Sequence, residues 1–160
     1  MIKKLVGVTL ASLEDGADVA LADRNKTIWH DENTVLAGNA ETAYFDALQR
    51  YGTYSFRASP ADGDSFTQEI VLASGTYTLY NLGAEGAAAG KLDWYLDAVK
   101  IVSGQDWYNA ATIRNIFKST ASIAVAGGRY VFKGVVNGKH ASSSNYNYYL
   151  TKSWFVRTGA

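Results

Sequence analysis

The chain has 160 residues, a length that suggests one domain and is sufficient to bury a real core without covalent help. It carries 15 basic and 15 acidic residues with no Lys/Arg cluster beyond Lys3-Lys4, which argues against nucleic-acid binding. The chain has no cysteine for disulfides or thiolate metal sites, and no apolar run approaches the length of a membrane span. Eleven Tyr, four Trp and 15 Gly favour pleated sheets and turns, so the composition predicts an all-β domain.

The first 50 residues differ in pattern from the rest. Residues 5–10 form a short apolar strand, and the acidic segment EDGADVALADRN has little to bury, so it fits an extended arm. Lys3-Lys4 and the apolar residues after them loosely resemble a signal peptide, but a first strand or arm is the favoured interpretation. Residues 39–52 are the one plausible helix, with a strand as the favoured alternative. We therefore assign an arm with leading strands to residues 1–50 and a jelly-roll domain to residues 51–160.

From residue 51 onward, short segments of alternating polarity are separated by turn-forming residues. The pair Gly127-Gly128 predicts a hairpin turn between SIAVA and RYVFKGVV. In the last strand, alternation places Tyr148, Leu150 and Trp154 on one face and Phe155 on the other. About eight to ten strands with turns every 8–12 residues predict a jelly-roll-like antiparallel β-sandwich.

Several strands carry aromatic residues on both faces. A monomeric sandwich needs only one apolar face per strand, so the excess predicts a second covered surface, most simply a subunit interface. The candidates for this interface, or for exposed aromatics, are Tyr80, Tyr95, Trp107, Tyr108, Tyr149 and Phe155.

The tripeptide Asp-Trp-Tyr occurs at 93–95 and 106–108, and two carboxylates facing each other across a sugar could cleave a glycosidic bond. Alternation places Asp93 on the opposite face from Trp94, and no acid has an identifiable partner. The two isolated histidines, without any cysteine, offer too few ligands for a transition-metal site. Calcium binding by the acidic segments DGADVALAD and ADGDS is kept as an alternative, although Asp-Gly is more often simply a turn. We therefore predict no catalytic residue, no cofactor and no assigned metal ligand.

A carbohydrate-binding module is the main functional alternative. Such domains are often jelly rolls that stack sugars on exposed Trp and Tyr side chains. The competing interpretation is that these side chains pack in the core or between subunits. Exposure decides between the two, because glycan binding requires a ring flat on the surface beside polar groups. The candidate rings are Trp29, Trp107, Tyr108, Tyr146 and Tyr149.

The segments GDSFTQEIVLASGTYTLYNLG, LDWYLDAVKI, QDWY and GGRYVFKGVVNGKHASSSNYNYYLTKSWF follow one another in a specific order. This order resembles the jelly-roll domains of tailed-phage virion proteins, which are found in tail fibres and capsid decoration (cement) proteins. The resemblance covers about residues 52–157 and implies a homotrimer without catalysis. A chain of 160 residues without heptads or triple-helix repeats fits a decoration protein better than a tail fibre.

The resemblance therefore implies a structural virion protein on the outer capsid surface. Its trimers would bind the major capsid protein at local threefold axes and stabilise the assembled shell by mass action. Neither nucleic acid nor membrane is an expected partner. The alternative is a tail-fibre receptor-binding or carbohydrate-binding jelly-roll head, whose partner is a glycan or a host receptor. We expect the arm to contact the shell through Ile2, Leu5, Val6, Val8, Leu10 and Leu13.

Overall fold

A computed structural model describes residues 26–30, 35–38, 42–51, 53–57 and 61–160. The six arm residues predicted to contact a capsid shell lie outside these ranges. No helix in the described ranges is long and apolar enough to cross a membrane. The described strands are β1 Lys26–Trp29, β2 Val35–Ala37, β3 Thr42–Phe45, β4 Thr53–Arg57, β5 Ser65–Leu72, β6 Gly75–Glu85, β7 Gly90–Leu96, β8 Val99–Asp106, β9 Ile113–Ser119, β10 Ile123–Val125, β11 Gly128–Lys139 and β12 Tyr148–Gly159.

The strands form two antiparallel sheets packed as a sandwich. Sheet one has the order β10-β6-β12-β4-β3, with β1 also paired to β12 and β9 also paired to β6. Sheet two has the order β2-β5-β11-β7-β8. The leading strands β1, β2 and β3 pair with β12, β5 and β4, respectively. The predicted all-β, jelly-roll-like sandwich is confirmed, while the domain boundary at residue 50 stays a prediction.

The core between the sheets is largely aromatic. Trp94 stacks on Phe132 with the ring centroids 5.1 Å apart, and Phe155 meets Phe132 edge to face at 5.4 Å. All three side chains are at most 1% exposed. Gly134 makes room for Phe66, because a Cβ atom at this glycine would lie 2.3 Å from Cζ of the ring. Burial of such side chains, at roughly 1.5–3 kcal/mol each, is the main force that holds the sheets together.

The predicted hairpin at Gly127-Gly128 is wrong, because these residues connect strands of different sheets. β10 pairs with β6 in sheet one, whereas β11 pairs with β5 and β7 in sheet two. The glycines have φ angles of 87° and 134°, which side chains other than glycine rarely adopt. A Cβ atom on Gly127 would also lie 2.7 Å from the amide nitrogen of Ser74. The glycine pair therefore provides a tight passage from one sheet to the other.

A bulge in β12 reverses the predicted orientation of the second half of this strand. Leu150 pairs with Gly83, and Lys152 pairs with the adjacent residue of β6, so two steps along β12 match one step along β6. Because strand side chains alternate with a period of two, one extra residue moves all later side chains to the opposite face. Trp154 therefore points outward, and Phe155 enters the core with no exposed surface.

Candidate ligand-binding face

The outer face of sheet one carries five aromatic side chains around one lysine. On β12 the outward-pointing residues alternate with Ser153 and Phe155, which are fully buried between the sheets. The neighbouring strands β1, β6 and β9 and the turn over residues 46–51 supply the other rings. We call this surface the aromatic face, and it comprises Trp29, Tyr51, Tyr80, Phe117, Lys152 and Trp154.

One half of the aromatic face is open to solvent. Tyr80 is 37% exposed and Phe117 is 49% exposed. Phe117 and Trp154 stack with an interplanar angle of 22° and their ring centroids 5.8 Å apart. Together with Val156, these rings line a shallow depression of about 260 Å³. An exposed contiguous apolar patch of this kind is typical of an interaction surface.

The other half of the aromatic face surrounds the ammonium group of Lys152. Its Nζ atom lies 3.7 Å from the ring centroid of Tyr51, 4.2 Å from that of Trp154 and 4.7 Å from that of Trp29. The rings of Trp29 and Tyr51 meet edge to face at 5.4 Å. Lys152 is only 7% exposed, so its charge lies in a narrow well with aromatic walls. Attraction between the cation and the ring faces holds the ammonium in this position.

The turn over residues 46–51 is fixed to sheet one through the buried side chain of Gln49. Its Nε2 atom donates to the carbonyl oxygen of Gly83 at 3.3 Å and to Oγ1 of Thr151 at 3.1 Å. Its Oε1 atom accepts a hydrogen bond from the amide of Asn115 at 3.0 Å. Gln49 is 3% exposed, so loss of these bonds would leave several buried groups unsatisfied.

Strand β9 holds the same turn from the side. The side chain of Asn115 donates to the carbonyl oxygen of Leu48 at 3.1 Å and accepts a hydrogen bond from the amide of Arg50. Nε of Arg114 donates to Oδ2 of Asp46 at 2.6 Å. The Arg114 guanidinium, together with the amide of Leu48, holds the pKa of Asp46 below its usual value. The turn is therefore held in place by side chains of β9.

The backbone of Tyr51 is in an unusual conformation. Its φ angle is 68°, in the left-handed region that is costly for a bulky residue, by about 1–3 kcal/mol. Tyr51 is also 53% exposed, so core packing does not explain this conformation. The fixed turn maintains the strain, and strain of this kind is concentrated at functional sites.

A second group of aromatic residues lies at the end of the sandwich where β8 and β11 finish. Tyr108 stacks on His140 with the ring centroids 4.3 Å apart and the planes within 3° of parallel. Nζ of Lys139 lies 5.0 Å from the ring centroid of Tyr146. Each tyrosine therefore already has a partner from the chain on one ring face, so this end offers less free aromatic surface than the aromatic face.

The six aromatic residues predicted for an interface or an exposed surface fall into two groups. Four of them reach the surface at least in part, and two have no exposed surface in the single chain. The prediction is therefore corrected for these two, which are core residues. Tyr80 is exposed, Tyr95, Tyr108 and Tyr149 are half-buried, and Trp107 and Phe155 are completely buried.

Trp107 is buried because its backbone continues the strand pairing beyond β8. Its amide donates to the carbonyl oxygen of Gly90 at 3.1 Å, and its own carbonyl accepts from the amide of Gly86 at 3.2 Å. The ring packs toward Gly83, where a Cβ atom would lie 3.0 Å from Cζ3 of the indole. Trp107 therefore cannot form the sugar platform that the sequence suggested.

The carboxylate of Asp93 is enclosed by partners of its own. It accepts hydrogen bonds from the amide of Gly104 at 2.6 Å and from Nδ2 of Asn137 at 2.8 Å, and it pairs with the ammonium of Lys100. Burial alone would raise the pKa of Asp93, but the bonds from Lys100, Asn137 and Gly104 outweigh it and hold the pKa below its usual value. Asp93 thus has the surroundings of a structural ion pair rather than of a catalytic acid.

Of the two segments in which calcium binding was left open, DGADVALAD lies outside the described residues. The two acids of the other segment, ADGDS, make turn contacts. Oδ1 of Asp62 accepts a hydrogen bond from the amide of Gly138 at 2.6 Å, and Oδ2 of Asp64 accepts one from the amide of Ala61 at 3.0 Å. Within the residues that the structure describes, no three His, Cys, Asp or Glu side chains are grouped so that they could hold a metal ion.

No protein-family model and no curated protein sequence matches the chain. Solved structures do share its fold. Paenibacillus xanthan lyase matches 83% of this chain with a TM-score of 0.73 and 20% identity, and the match covers 13% of the lyase. The chain thus spans a small part of that enzyme.

Two separate modules are similar over nearly their whole length. The CBM36-1 domain of a multidomain xylanase from the hindgut metagenome of Trinervitermes trinervoides matches 86% of this chain and 100% of its own, with a TM-score of 0.64 and 12% identity. A carbohydrate-binding module CBM36 in complex with calcium and xylotriose matches 81% of this chain and 98% of its own, with a TM-score of 0.57 and 13% identity. These similarities establish a shared fold.

Proposed function

We propose that this chain is a non-catalytic carbohydrate-binding jelly-roll domain and that the aromatic face is its binding surface. The observation that carries the proposal is the group of half-exposed rings, Tyr80, Phe117 and Trp154, beside a fixed polar turn. The apolar face of a sugar ring packs on a flat aromatic side chain, and nearby polar groups bond its hydroxyls. Because the turn is already fixed, binding does not have to order it.

The proteins of similar fold support this proposal over capsid decoration. The two modules matched almost end to end are named as a domain of a xylanase and as a carbohydrate-binding module in complex with xylotriose. The match to xanthan lyase covers a small part of that enzyme, which fits an accessory domain. Capsid decoration, the homotrimer and a location on the outer capsid surface stay predictions without support from these similarities.

A polysaccharide panel with two matched variants tests the proposal. Affinity gel electrophoresis would compare the wild type with Phe117→Ala, on the aromatic face, and with Tyr108→Ala, at the end of the sandwich. We expect the wild type to bind at least one polysaccharide, and we expect Phe117→Ala to weaken this binding about tenfold because one stacking partner is lost. Tyr108→Ala should bind like the wild type.

Other results would contradict the proposal in distinguishable ways. If Tyr108→Ala abolishes binding while Phe117→Ala retains it, the binding surface lies at the end of the sandwich. If no polysaccharide in a broad panel retards the folded wild type, the carbohydrate-binding function itself is wrong.

A further inference from the structure

The aromatic face carries two cations that lack a carboxylate partner in the part of the chain that the structure describes. Lys152 lies among three ring faces, and the guanidinium carbon of Arg50 lies 5.5 Å from the ring centroid of Phe117. Asp46 is the acidic residue nearest to Arg50 in sequence, and it is already paired with Arg114. The local charge of the aromatic face is therefore positive, although the whole chain is neutral.

Two other lysines near the sheet surfaces are paired with carboxylates within the chain. Nζ of Lys118 lies 2.6 Å from Oε1 of Glu85, and Lys100 pairs with Asp93. A carboxylate is the usual partner of a cation that is largely removed from water, because an isolated buried charge is costly. Lys152, at 7% exposure, is more buried than the paired residues Lys100 and Lys118. Within the described residues, Lys152 therefore lacks the carboxylate partner that Lys100 and Lys118 have.

The ammonium of Lys152 retains donors that ring faces do not satisfy. An ammonium has three N–H donors, and the contacts of this ammonium within the described residues are to three ring faces. An anionic oxygen that reaches into the well would provide both an acceptor and a countercharge. In such a poorly hydrated site, the attraction between opposite charges is stronger than it is in water.

The two cations flank one stack of rings. Arg50 lies against Phe117, Lys152 lies against Trp154, and the centroids of these two rings are 5.8 Å apart. A sugar packed on this stack would therefore carry a ring substituent toward one cation or the other. Arg50 is exposed, and its planar guanidinium can bind a carboxylate or a sulfate through two parallel hydrogen bonds.

From this arrangement we infer that the ligand of the aromatic face is an acidic polysaccharide. Its sugar ring packs on Phe117 and Trp154, and its carboxylate or sulfate group pairs with Arg50 and Lys152. This inference rests on the proposed carbohydrate-binding function and specifies the chemical class of the ligand. It gives the two unmatched cations the role of selecting charged sugars over neutral ones.

Pairs of polysaccharides that differ only in charge test the inference. Polygalacturonate would be compared with its carboxyl-reduced form, and chondroitin sulfate with its desulfated form, by isothermal titration calorimetry. We expect the charged member of at least one pair to bind at least tenfold more tightly. Raising NaCl from about 50 to about 500 mM should weaken this binding severalfold, because salt screens exposed charges. The pair that shows the difference identifies the acidic group.

Three variants then assign the effect to the aromatic face. Arg50→Gln removes the exposed cation, and Lys152→Met removes the charge of the well while it keeps most of the side-chain length. Each should reduce the preference for the charged polysaccharide at least threefold, a change of about 0.6 kcal/mol. Lys133→Gln, a charge loss on β11 of sheet two, should leave the preference unchanged. If Lys152→Met does not fold, Arg50→Gln and the polysaccharide pairs still test the inference.

Equal affinity for the charged and neutral members of both pairs would overturn the inference and leave the proposed function intact. A preference that both Arg50→Gln and Lys152→Met retain would also overturn it. If neutral polysaccharides alone bind, the function stands and the ligand class is wrong. If no polysaccharide binds in any form, the proposed function and this inference fail together.

Discussion

The two outer faces of the sandwich use similar residues but leave them in different states. On sheet two, Asp93 accepts hydrogen bonds from Gly104 and Asn137 and pairs with Lys100, which also lies 5.5 Å from the ring centroid of Tyr95. On sheet one, in the described residues, Lys152 has three ring faces and no carboxylate. The first arrangement is complete within one chain and serves the fold. The second has no such partner in the described residues, and this difference is the basis of the binding role that we propose for it.

The backbone shows the same contrast. Tyr95 lies inside the regular strand β7, where its position needs no special conformation. Tyr51 adopts a φ angle of 68° in a turn that a network of hydrogen bonds fixes. Folding alone gains nothing evident from this strained residue, whereas in the proposed function its ring forms a wall of the site beside Lys152. Substitutions on the two faces should therefore separate residues that stabilise the fold from residues that bind.

The largest expected effect is on stability and comes from sheet two. Asp93→Ala should lower the free energy of unfolding by about 2–4 kcal/mol, because buried donors lose their acceptor. Lys100→Ala, which removes a partner with a side chain that is 41% exposed, should cost less than about 1 kcal/mol. Urea unfolding at neutral pH measures both variants, and polysaccharide affinity should not change in either. Equal losses in the two variants would contradict the role assigned to the buried carboxylate.

The next effect is on binding and comes from sheet one. Trp154→Ala should reduce polysaccharide affinity about 30-fold, or about 2 kcal/mol, because it removes the ring that the depression and the lysine well share. Tyr95→Ala on sheet two is the matched control and should bind like the wild type. Calorimetric titration measures both. Unchanged affinity in Trp154→Ala would place the binding surface elsewhere.

A smaller effect should separate strain from binding at Tyr51. In Tyr51→Gly the left-handed backbone is no longer costly, and this gain offsets the lost contacts of the ring. We expect the free energy of unfolding to change by less than about 1 kcal/mol, while polysaccharide affinity falls about tenfold. Thermal unfolding measures the stability of this variant, and calorimetric titration of the same sample measures its affinity. A large loss of stability with unchanged affinity would show that Tyr51 serves the fold instead.

The smallest expected effect concerns acid stability. The pKa of Asp93 is lowered in the folded chain, whereas the pKa of an unfolded Asp is about 3.9. Its contribution to stability is therefore complete above about pH 5 and is lost as the pH falls through about 3.9 toward the folded value. Unfolding titrations between neutral and acidic pH should show a shallower decline for Asp93→Asn than for the wild type. Parallel declines would mean that Asp93 titrates normally in the folded protein.

Much of the fold was predictable because alternation in regular strands depends on sequence alone. Trp94 was expected on the opposite face of its strand from Asp93, and it lies in the core together with Leu92 and Leu96. The two-sided aromatic pattern predicted a second covered surface, most simply a subunit interface, and this stays a prediction. The prediction for Gly127-Gly128 was wrong because a glycine pair permits a tight turn both in a hairpin within one sheet and in a connection between two sheets. Which sheet the next strand joins depends on distant residues.

The site was harder to predict because it depends on a single bulge. Alternation placed Trp154 on the same face as Tyr148 and Leu150 and placed Phe155 on the opposite face, and the extra residue between Leu150 and Lys152 exchanges them. No residue type in that stretch marks a bulge, since only the pairing with β6 reveals it. The contribution of Tyr51 was likewise hidden, because the hydrogen bonds of its turn come from β9, more than 60 residues later.

The uneven burial of the four tryptophans gives the aromatic face an optical label of its own. Trp94 and Trp107 have no exposed surface, whereas Trp29 and Trp154 are half-buried beside Lys152. A dissolved quencher can reach only the second pair, so the long-wavelength part of the emission comes from the aromatic face and the rest from the core. Iodide, drawn by the positive charge, should quench this component more than caesium does. A bound sugar is then detected as protection of two indoles, without any dye.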